Sequence, residues 1–257
     1  MEAMRQPIRE QLEAVRPVSL DELNERAALQ RRTDNTYLAP LDSLRELLET
    51  RRGDHEILEI EGDRLFEYES TYFDTASLRC FEDHVRDRRP RFKARTRCYV
   101  ATGDCFFEVK VKREDGETVK RNIEYDPDRR SGIEPSASDL VREVLGECGV
   151  SELDESLERS LVTRFQRATV VASERPERTT VDFAVRVEGP RDRAAELESR
   201  FAIVETKTSD GEGSWDRAFS SLGVEPVSLS KYRLGVGLLR CEDANYAPGA
   251  KGAFATV

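Results

Sequence analysis

Between residues 64 and 125 the chain alternates apolar and charged side chains with a period of two, in four runs: "RLFEYESTYFDT", "RPRFKARTRCYV", "CFFEVKVKR" and "ETVKRNIEY". That period belongs to β-strands whose two faces meet different surroundings. Polar sets, "ATGD" and "REDGE", separate the last three runs, which therefore read as consecutive antiparallel strands. Arg91, Lys93, Arg95 and Arg97 share one face, opposite Phe92, Ala94, Thr96 and Cys98. In the next strand Glu108, Lys110 and Lys112 lie opposite Phe107, Val109 and Val111, and after the turn Lys120, Asn122 and Glu124 share a face. Adjacent like charges destabilise a sheet unless something offsets them. For Lys112 to sit beside Lys120, paired residue numbers must sum to 232. This predicts an odd-length loop centred on Gly116 instead of a two-residue Asp115-Gly116 turn.

The pattern returns later. "LVTRFQRATVV", "RTTVDFAVRV" and "FAIVETKTS" place Arg164 with Gln166, Arg178 with Thr180 and Asp182, and Glu205 with Lys207. An early strand, "RRTDNTYLAP", stopped by Pro40, offers Arg32, Asp34 and Thr36. Helices are expected at "SLDELNERAALQ", with Ser19 and Glu22 in capping-box spacing, and at "LDSLRELLET", "SASDLVREVLGECG", "ELDESLERSL" and "WDRAFSSLG". "VSLSKYRLGVGLLR" completes the fold, with Lys231 following a strand. Residues 1–30 read as a helical lead, 31–240 as the main domain, and 241–257, rich in Gly, Ala and Pro, as a loosely held tail. Seven strands thus bring a charged face. Closing such a sheet with those faces inward gives an α+β fold: an antiparallel barrel with a wet, positive lumen and helices packed outside.

Composition confines that charge. The net charge is −10, so the molecule as a whole repels nucleic acid and anionic membranes, and any polyanion site is local. Only 7 of the 41 basic residues are Lys, and four of these, at 93, 110, 112 and 120, crowd into 28 residues. A compact, strongly hydrated ammonium suits a linear polyanion held without a rigid fork. Acids on the inner face, Glu108, Glu205 and Glu124, read as ligands for Mg²⁺ or Mn²⁺ bridging phosphate oxygens, or as neutralisers of neighbouring lysines. Five Cys without C-x-x-C spacing read as reduced thiols, and His55 and His84, in polar segments, as surface residues. There is no G-x-x-x-x-G-K-[ST] loop. No run approaches the roughly 18 apolar residues of a spanning helix, and "MEAMRQPIRE" lacks a signal-peptide core, so a cytoplasmic location is expected.

The ordered segments "RTDNTYL", "YESTYFDT", "RFKARTRCYV", "CFFEVKVK", "GETVKR", "LVTRFQR", "RTTVDF", "AIVETK" and "SKYRLG" resemble the VTC domain, from about Arg32 to about Arg240. This is the polyphosphate-polymerase branch of the CYTH-like triphosphate tunnel metalloenzymes. The resemblance implies a closed tunnel of about eight antiparallel strands that binds ATP, tripolyphosphate or polyphosphate. It places Arg32, Arg95, Arg97, Lys110, Lys120, Arg164, Arg178 and Lys231 on phosphates, and makes Glu205 the metal ligand. Lys93, Lys112 and Lys207 join them by sharing the charged faces, with Glu108 as a second candidate metal ligand. Lys110, Arg95, Arg97 and Lys231 are expected at the reacting group. One departure stands out: the family usually carries Lys directly before the Tyr of the first strand, where this chain has Thr36. Loss of a charge-assisted contact costs about 1.5–3 kcal/mol. Three functions follow: transfer of the terminal phosphoryl group of ATP to polyphosphate, hydrolysis of tripolyphosphate, or non-catalytic sensing of polyphosphate or nucleotide. The phosphate-sensing module and membrane segments of eukaryotic members have no counterpart in this sequence, which leaves a membrane-protein partner as an expectation. RNA is disfavoured, because Phe92 lies on the face opposite Arg91 and Lys93.

Overall fold

The structure is a computed structural model that describes residues 2–27, 32–150, 153–240 and 251–257. Its elements in chain order are α1 (Glu2–Glu13), β1 (Arg16–Val18), α2 (Leu20–Arg26), β2 (Thr33–Pro40), α3 (Leu41–Thr50), β3 (His55–Leu58), β4 (Phe66–Asp74), α4 (Arg79–Val85), β5 (Arg91–Tyr99), β6 (Cys105–Lys112), β7 (Thr118–Glu124), α5 (Pro135–Glu147), β8 (Glu158–Ala172), β9 (Arg178–Glu188), β10 (Ala194–Leu197), β11 (Phe201–Thr208), α6 (Ser214–Ser221), α7 (Lys231–Arg240) and β12 (Phe254–Thr256). The expected capping box is present on α2: the Ser19 hydroxyl accepts the Glu22 N–H at 3.3 Å, and the Glu22 carboxylate accepts the Ser19 N–H at 3.1 Å.

Eight strands wrap around the charged faces in the order β2-β11-β9-β8-β4-β5-β6-β7, every neighbouring pair antiparallel. The expected closed barrel is not closed by hydrogen bonds: among the described residues β2 and β7 do not pair. Both edges are otherwise protected. Exposed Lys120, Arg121, Asn122 and Glu124 make β7 a charged edge, which resists strand addition. On β2, the Thr36 carbonyl accepts the Val227 N–H at 2.7 Å from the segment leading into α7.

The apolar faces point outward, as the alternation requires. Tyr37, Ala39, Val181, Ala202 and Val204 pack under α3 and α6, with Leu44, Leu47, Trp215 and Phe219 buried. Phe92, Phe107, Val109 and Val111 share a second core with Val141 and Leu145 of α5. Helix α7 instead lies on the concave side. Tyr232 stacks on Tyr72 at 5.0 Å, and Gly235 lies so near the wall that an added Cβ would come within 2.5 Å of Leu161 Cδ2 and 3.2 Å of Val187 Cβ.

Several expectations need correction. In the β6–β7 hairpin Lys110 pairs with Lys120 and Lys112 with Thr118, so the register sums to 230. The loop is odd, as expected, but Gly116, at φ +86°, occupies its last position, and its N–H bonds to the Arg113 carbonyl at 3.1 Å. A three-residue loop places its left-handed residue third, so the centre falls on Asp115. No helix forms at residues 153–157; residues 151–152 lie outside the described residues, and β8 already starts at Glu158. Lys231 opens a helix and does not follow a strand. Of the expected loose tail, residues 241–250 lie outside the described residues, whereas β12 pairs with β10 in the sheet. Cys98 and Cys105, directly opposite each other on β5 and β6, form a disulfide, while Cys80 and Cys148 are buried free thiols; Cys241 is outside the described residues.

Candidate active site

The inward faces enclose a cavity of about 910 Å³. Arg32, Lys93, Arg95, Arg97, Lys110, Lys120, Arg167, Lys207 and Lys231 line it, against the carboxylates of Asp34, Glu108 and Glu205. Nine cations against three carboxylates leave a formal excess of six positive charges inside a chain whose net charge is −10. Low-dielectric walls strengthen the pull of such a site on an anion.

Glu108 sits among three of these cations. Its carboxylate accepts from Arg95 Nε at 2.7 Å and from Lys120 Nζ at 2.5 Å, with Arg97 Nε at 3.9 Å. Burial alone would raise its carboxyl, but Arg95, Arg97 and Lys120 overcome this and hold it at about 2. Both oxygens are committed to cations, so Glu108 neutralises the wall and is a poor fit to the metal-ligand role expected for it. Arg95 also donates to the Tyr72 hydroxyl at 3.0 Å. Arg97 Nε, though buried, makes no hydrogen bond among the described residues.

Glu205 stands on β11 opposite Thr36 of β2 and Thr180 of β9. It is ion-paired with Lys207, and its carboxyl, which burial would raise, is held at about 2 by Lys207, Arg167 and Lys231. Its side chain remains 37% exposed, toward the cavity. Mg²⁺ is commonly held by one or two carboxylates together with substrate phosphates. The residues present fit that arrangement: Glu205 would supply the carboxylate, with Asp34 on the inner face of the neighbouring β2. Among the described residues no group of three or more His, Cys, Asp or Glu forms a cage.

Lys110 is exposed into the cavity and has no ion pair or hydrogen bond among the described residues; burial of its surroundings lowers its ammonium despite Asp34 and Glu205. Lys93 donates to Ser230 Oγ at 3.0 Å. Burial, then Lys110, Arg95, Arg91 and Arg233, bring its ammonium down to about 7. His84, expected at the surface, lines the cavity, and burial together with Lys93 and Arg91 lowers it to about 3, so it is a neutral imidazole. His55 is not at the surface either. Its Nδ1–H donates to the Arg51 carbonyl at 3.1 Å, and Nε2 accepts from Trp215 Nε1 at 2.6 Å, behind α6.

Arg164 faces outward, where Glu69 at 2.8 Å and Glu188 hold it. The run "TRFQR" carries an Arg at each parity, and Arg167 is the one that points inward. On β9, Ala184 at φ +49° forms a bulge that reverses the faces beyond it. Arg186 and Glu188 therefore join the outer ion pairs, while Asp182 stays inside. Arg178 and Lys112 do not line the cavity. Arg178 lies beside Lys207 and donates to Asn24 at 3.1 Å, and Lys112 ends β6 opposite Thr118.

Four contributors were missed in the sequence: Arg167, Tyr72, Ser230 and Asp182, which holds Arg167 and Lys231. The alternation does put Asp182 on the inner face, with Arg178 and Thr180, but assigns it no role. Nothing in the alternation marks the other three.

The chain matches the VTC domain over residues 31–240. Among solved structures, a candidate adenylyl cyclase from Hippeastrum, reported to have a dominant triphosphatase activity, is similar at TM-score 0.52 and 18% identity, covering 82% of this chain and 99% of its own. A candidate adenylate cyclase from Bacillus halodurans shows TM-score 0.48 and 11% identity, over 77% of this chain and 93% of its own. The first likeness concerns the fold alone. No functionally curated protein matches the sequence.

Proposed function

Because the chain belongs to the VTC domain family, we propose that it transfers the terminal phosphoryl group of ATP to a polyphosphate chain held in the basic cavity. The observation that carries this reading is the excess of cations around one walled cavity in an acidic molecule. Phosphoryl transfer needs mainly positioning and charge stabilisation, and no protein nucleophile is required. A terminal oxygen of the acceptor chain attacks the γ-phosphorus, the bond from that phosphorus to the β–γ bridging oxygen breaks, and ADP leaves with the electron pair. Lys110, Arg95, Arg97, Arg167 and Lys231 would neutralise charge on the equatorial and leaving oxygens. Glu205 would hold Mg²⁺ or Mn²⁺, which supplies Lewis-acid polarisation of phosphate oxygens when bound.

A second reading, hydrolysis of tripolyphosphate, is suggested by the Hippeastrum protein of similar fold, whose dominant activity is reported as a triphosphatase. It would use the same cavity, with water in place of the acceptor chain. Phosphorus NMR of the protein with Mg²⁺ and either ATP or tripolyphosphate, quenched with chelator, separates the two. We expect internal-chain phosphate signals to grow from ATP and to be lost in Lys110→Ala. Orthophosphate from tripolyphosphate alone would establish hydrolysis. Unchanged spectra with both substrates would leave a binding or sensing module, the reading suggested by Thr36.

A further inference from the structure

Asp182 is 1% exposed on the inner face of β9, and cations from two different parts of the fold take both of its oxygens. Arg167 of β8 donates Nε–H to Oδ1 at 2.6 Å and Nη2–H to Oδ2 at 2.8 Å. Lys231, the first residue of α7, donates to the same Oδ2. The Phe165 ring packs against both, 5.1 Å from the Arg167 guanidinium and 4.8 Å from Lys231 Nζ, and Tyr68 stacks on Phe165 at 5.3 Å. Burial would raise the Asp182 carboxyl, but Arg167 and Lys231 hold it well below the usual range, so it stays ionised.

A buried ion pair adds little net stability, because desolvation offsets the attraction. What the triad fixes is direction. Without a carboxylate between them, two cations on one oxygen would repel, and Lys231, at the start of a helix, would swing away from the wall. With it, Arg167 keeps Nη1, and Lys231 keeps further N–H donors, for a ligand. We propose that Asp182 is a positioning residue: it locks Arg167 of the strand wall and Lys231 of the covering helix into one cationic unit that grips a single phosphate group of the bound chain. This rests on the reading that the cavity holds a phosphate chain. It adds that a buried acid, and not the cations alone, sets the geometry of the grip.

The test is a double-mutant cycle read by calorimetric binding of inorganic tripolyphosphate without metal, so that turnover plays no part. In the wild-type background Lys231→Gln should weaken binding about tenfold or more, the effect of losing a charge-assisted contact. In Asp182→Asn the same change should cost less than about twofold, because Lys231 is no longer held in place. Equal losses in both backgrounds would overturn the proposal. Asp182→Glu serves as the second variant and replaces Asn in the cycle if Asn does not fold. It keeps the charge but moves the carboxylate by one methylene, and the Lys231 effect should again disappear. Wild-type behaviour of Asp182→Glu would mean that charge alone suffices and would also overturn it. If the wild type binds tripolyphosphate but phosphorus NMR with Mg²⁺ shows no product from either ATP or tripolyphosphate, the phosphotransfer reading falls while the cycle still decides the role of Asp182. If the wild type does not bind tripolyphosphate, both fall.

Discussion

Lys93 carries the sharpest conflict between folding and binding. In the unfolded chain its ammonium has the ordinary value of 10.5, and in the cavity about 7. Between those values the unfolded state binds more protons, so folding stability rises with pH from about 7 to about 10.5 and is flat below that window. Lys93→Met removes a cation crowded by Lys110, Arg95, Arg91 and Arg233. We expect its melting temperature without ligand at pH 7 to rise by about 2–4 °C, while tripolyphosphate binding weakens. A drop in melting temperature would show that the ammonium is not under strain. A bound polyanion restores the proton to Lys93, so wild-type affinity should fall as pH rises above about 7. Calorimetry in buffers of different ionisation enthalpy should register proton uptake at pH 8. At this scale the sequence is informative about parity alone. It places Lys93, Lys110 and Lys120 on the lumen side, where the structure has them. It does not reveal that Ser230, 137 residues away, is the partner of Lys93, or that His84 stands beside it, because both come from segments without strand periodicity.

At the level of elements, β8 and β9 decide which arginine meets the ligand. The two strands carry polar residues on both faces where they cross the outer cluster of Glu69, Glu188 and Glu196, and the bulge at Ala184 turns Arg186 outward. Arg164→Ala should therefore leave tripolyphosphate affinity within about twofold, as expected for an exposed ion pair. Arg167→Ala should weaken it about tenfold or more, through lost charge and the release of Asp182. The reverse ranking, measured under one salt condition, would mean that the faces of β8 are inverted. Strands β5 and β6 were legible because strict alternation runs their whole length and each has a single charged parity; β7 breaks the pattern at Arg121 but keeps Lys120, Asn122 and Glu124 on one face. β8 was not legible, since Arg164 and Arg167 satisfy opposite parities and only a three-dimensional neighbour, Glu69, chooses between them. The hairpin register erred by two residues for a related reason. Gly116 announces a left-handed position, but its place within the loop depends on the closing pair Arg113 and Glu117, whose backbone groups bond at 2.8 Å.

Across the whole molecule, opposite charges are separated into an inside and an outside. The residues lining the cavity carry a formal excess of six positive charges, or five with Asp182 behind Arg167 and Lys231, while the chain totals −10, so the remainder of the protein is more acidic than its net charge suggests. Composition and alternation together foretell this division, and eight strands do enclose the charge. Closure was not legible, because the segment 226–230, which bonds to β2 through the Val227 N–H and lines the same cavity as Thr118 and Lys120 of β7, is encoded by neither strand. The division has a consequence for selectivity. Exposed charges more than a Debye length apart are screened, about 10 Å at 0.1 M salt, whereas groups behind low-dielectric walls are screened much less. Tripolyphosphate should therefore remain measurably bound at 0.5 M salt. A single-stranded oligonucleotide carries bulky sugars and bases between its phosphates and must approach through a negative exterior, so it should fail to compete even at low salt. Competition titrations at low and high ionic strength test this directly. Displacement of tripolyphosphate by the oligonucleotide would place the effective cationic surface outside the cavity. Retention of tripolyphosphate at high salt, with no displacement, would locate the selectivity in the walls, where a bare phosphate chain can strip its water and a nucleic acid cannot follow.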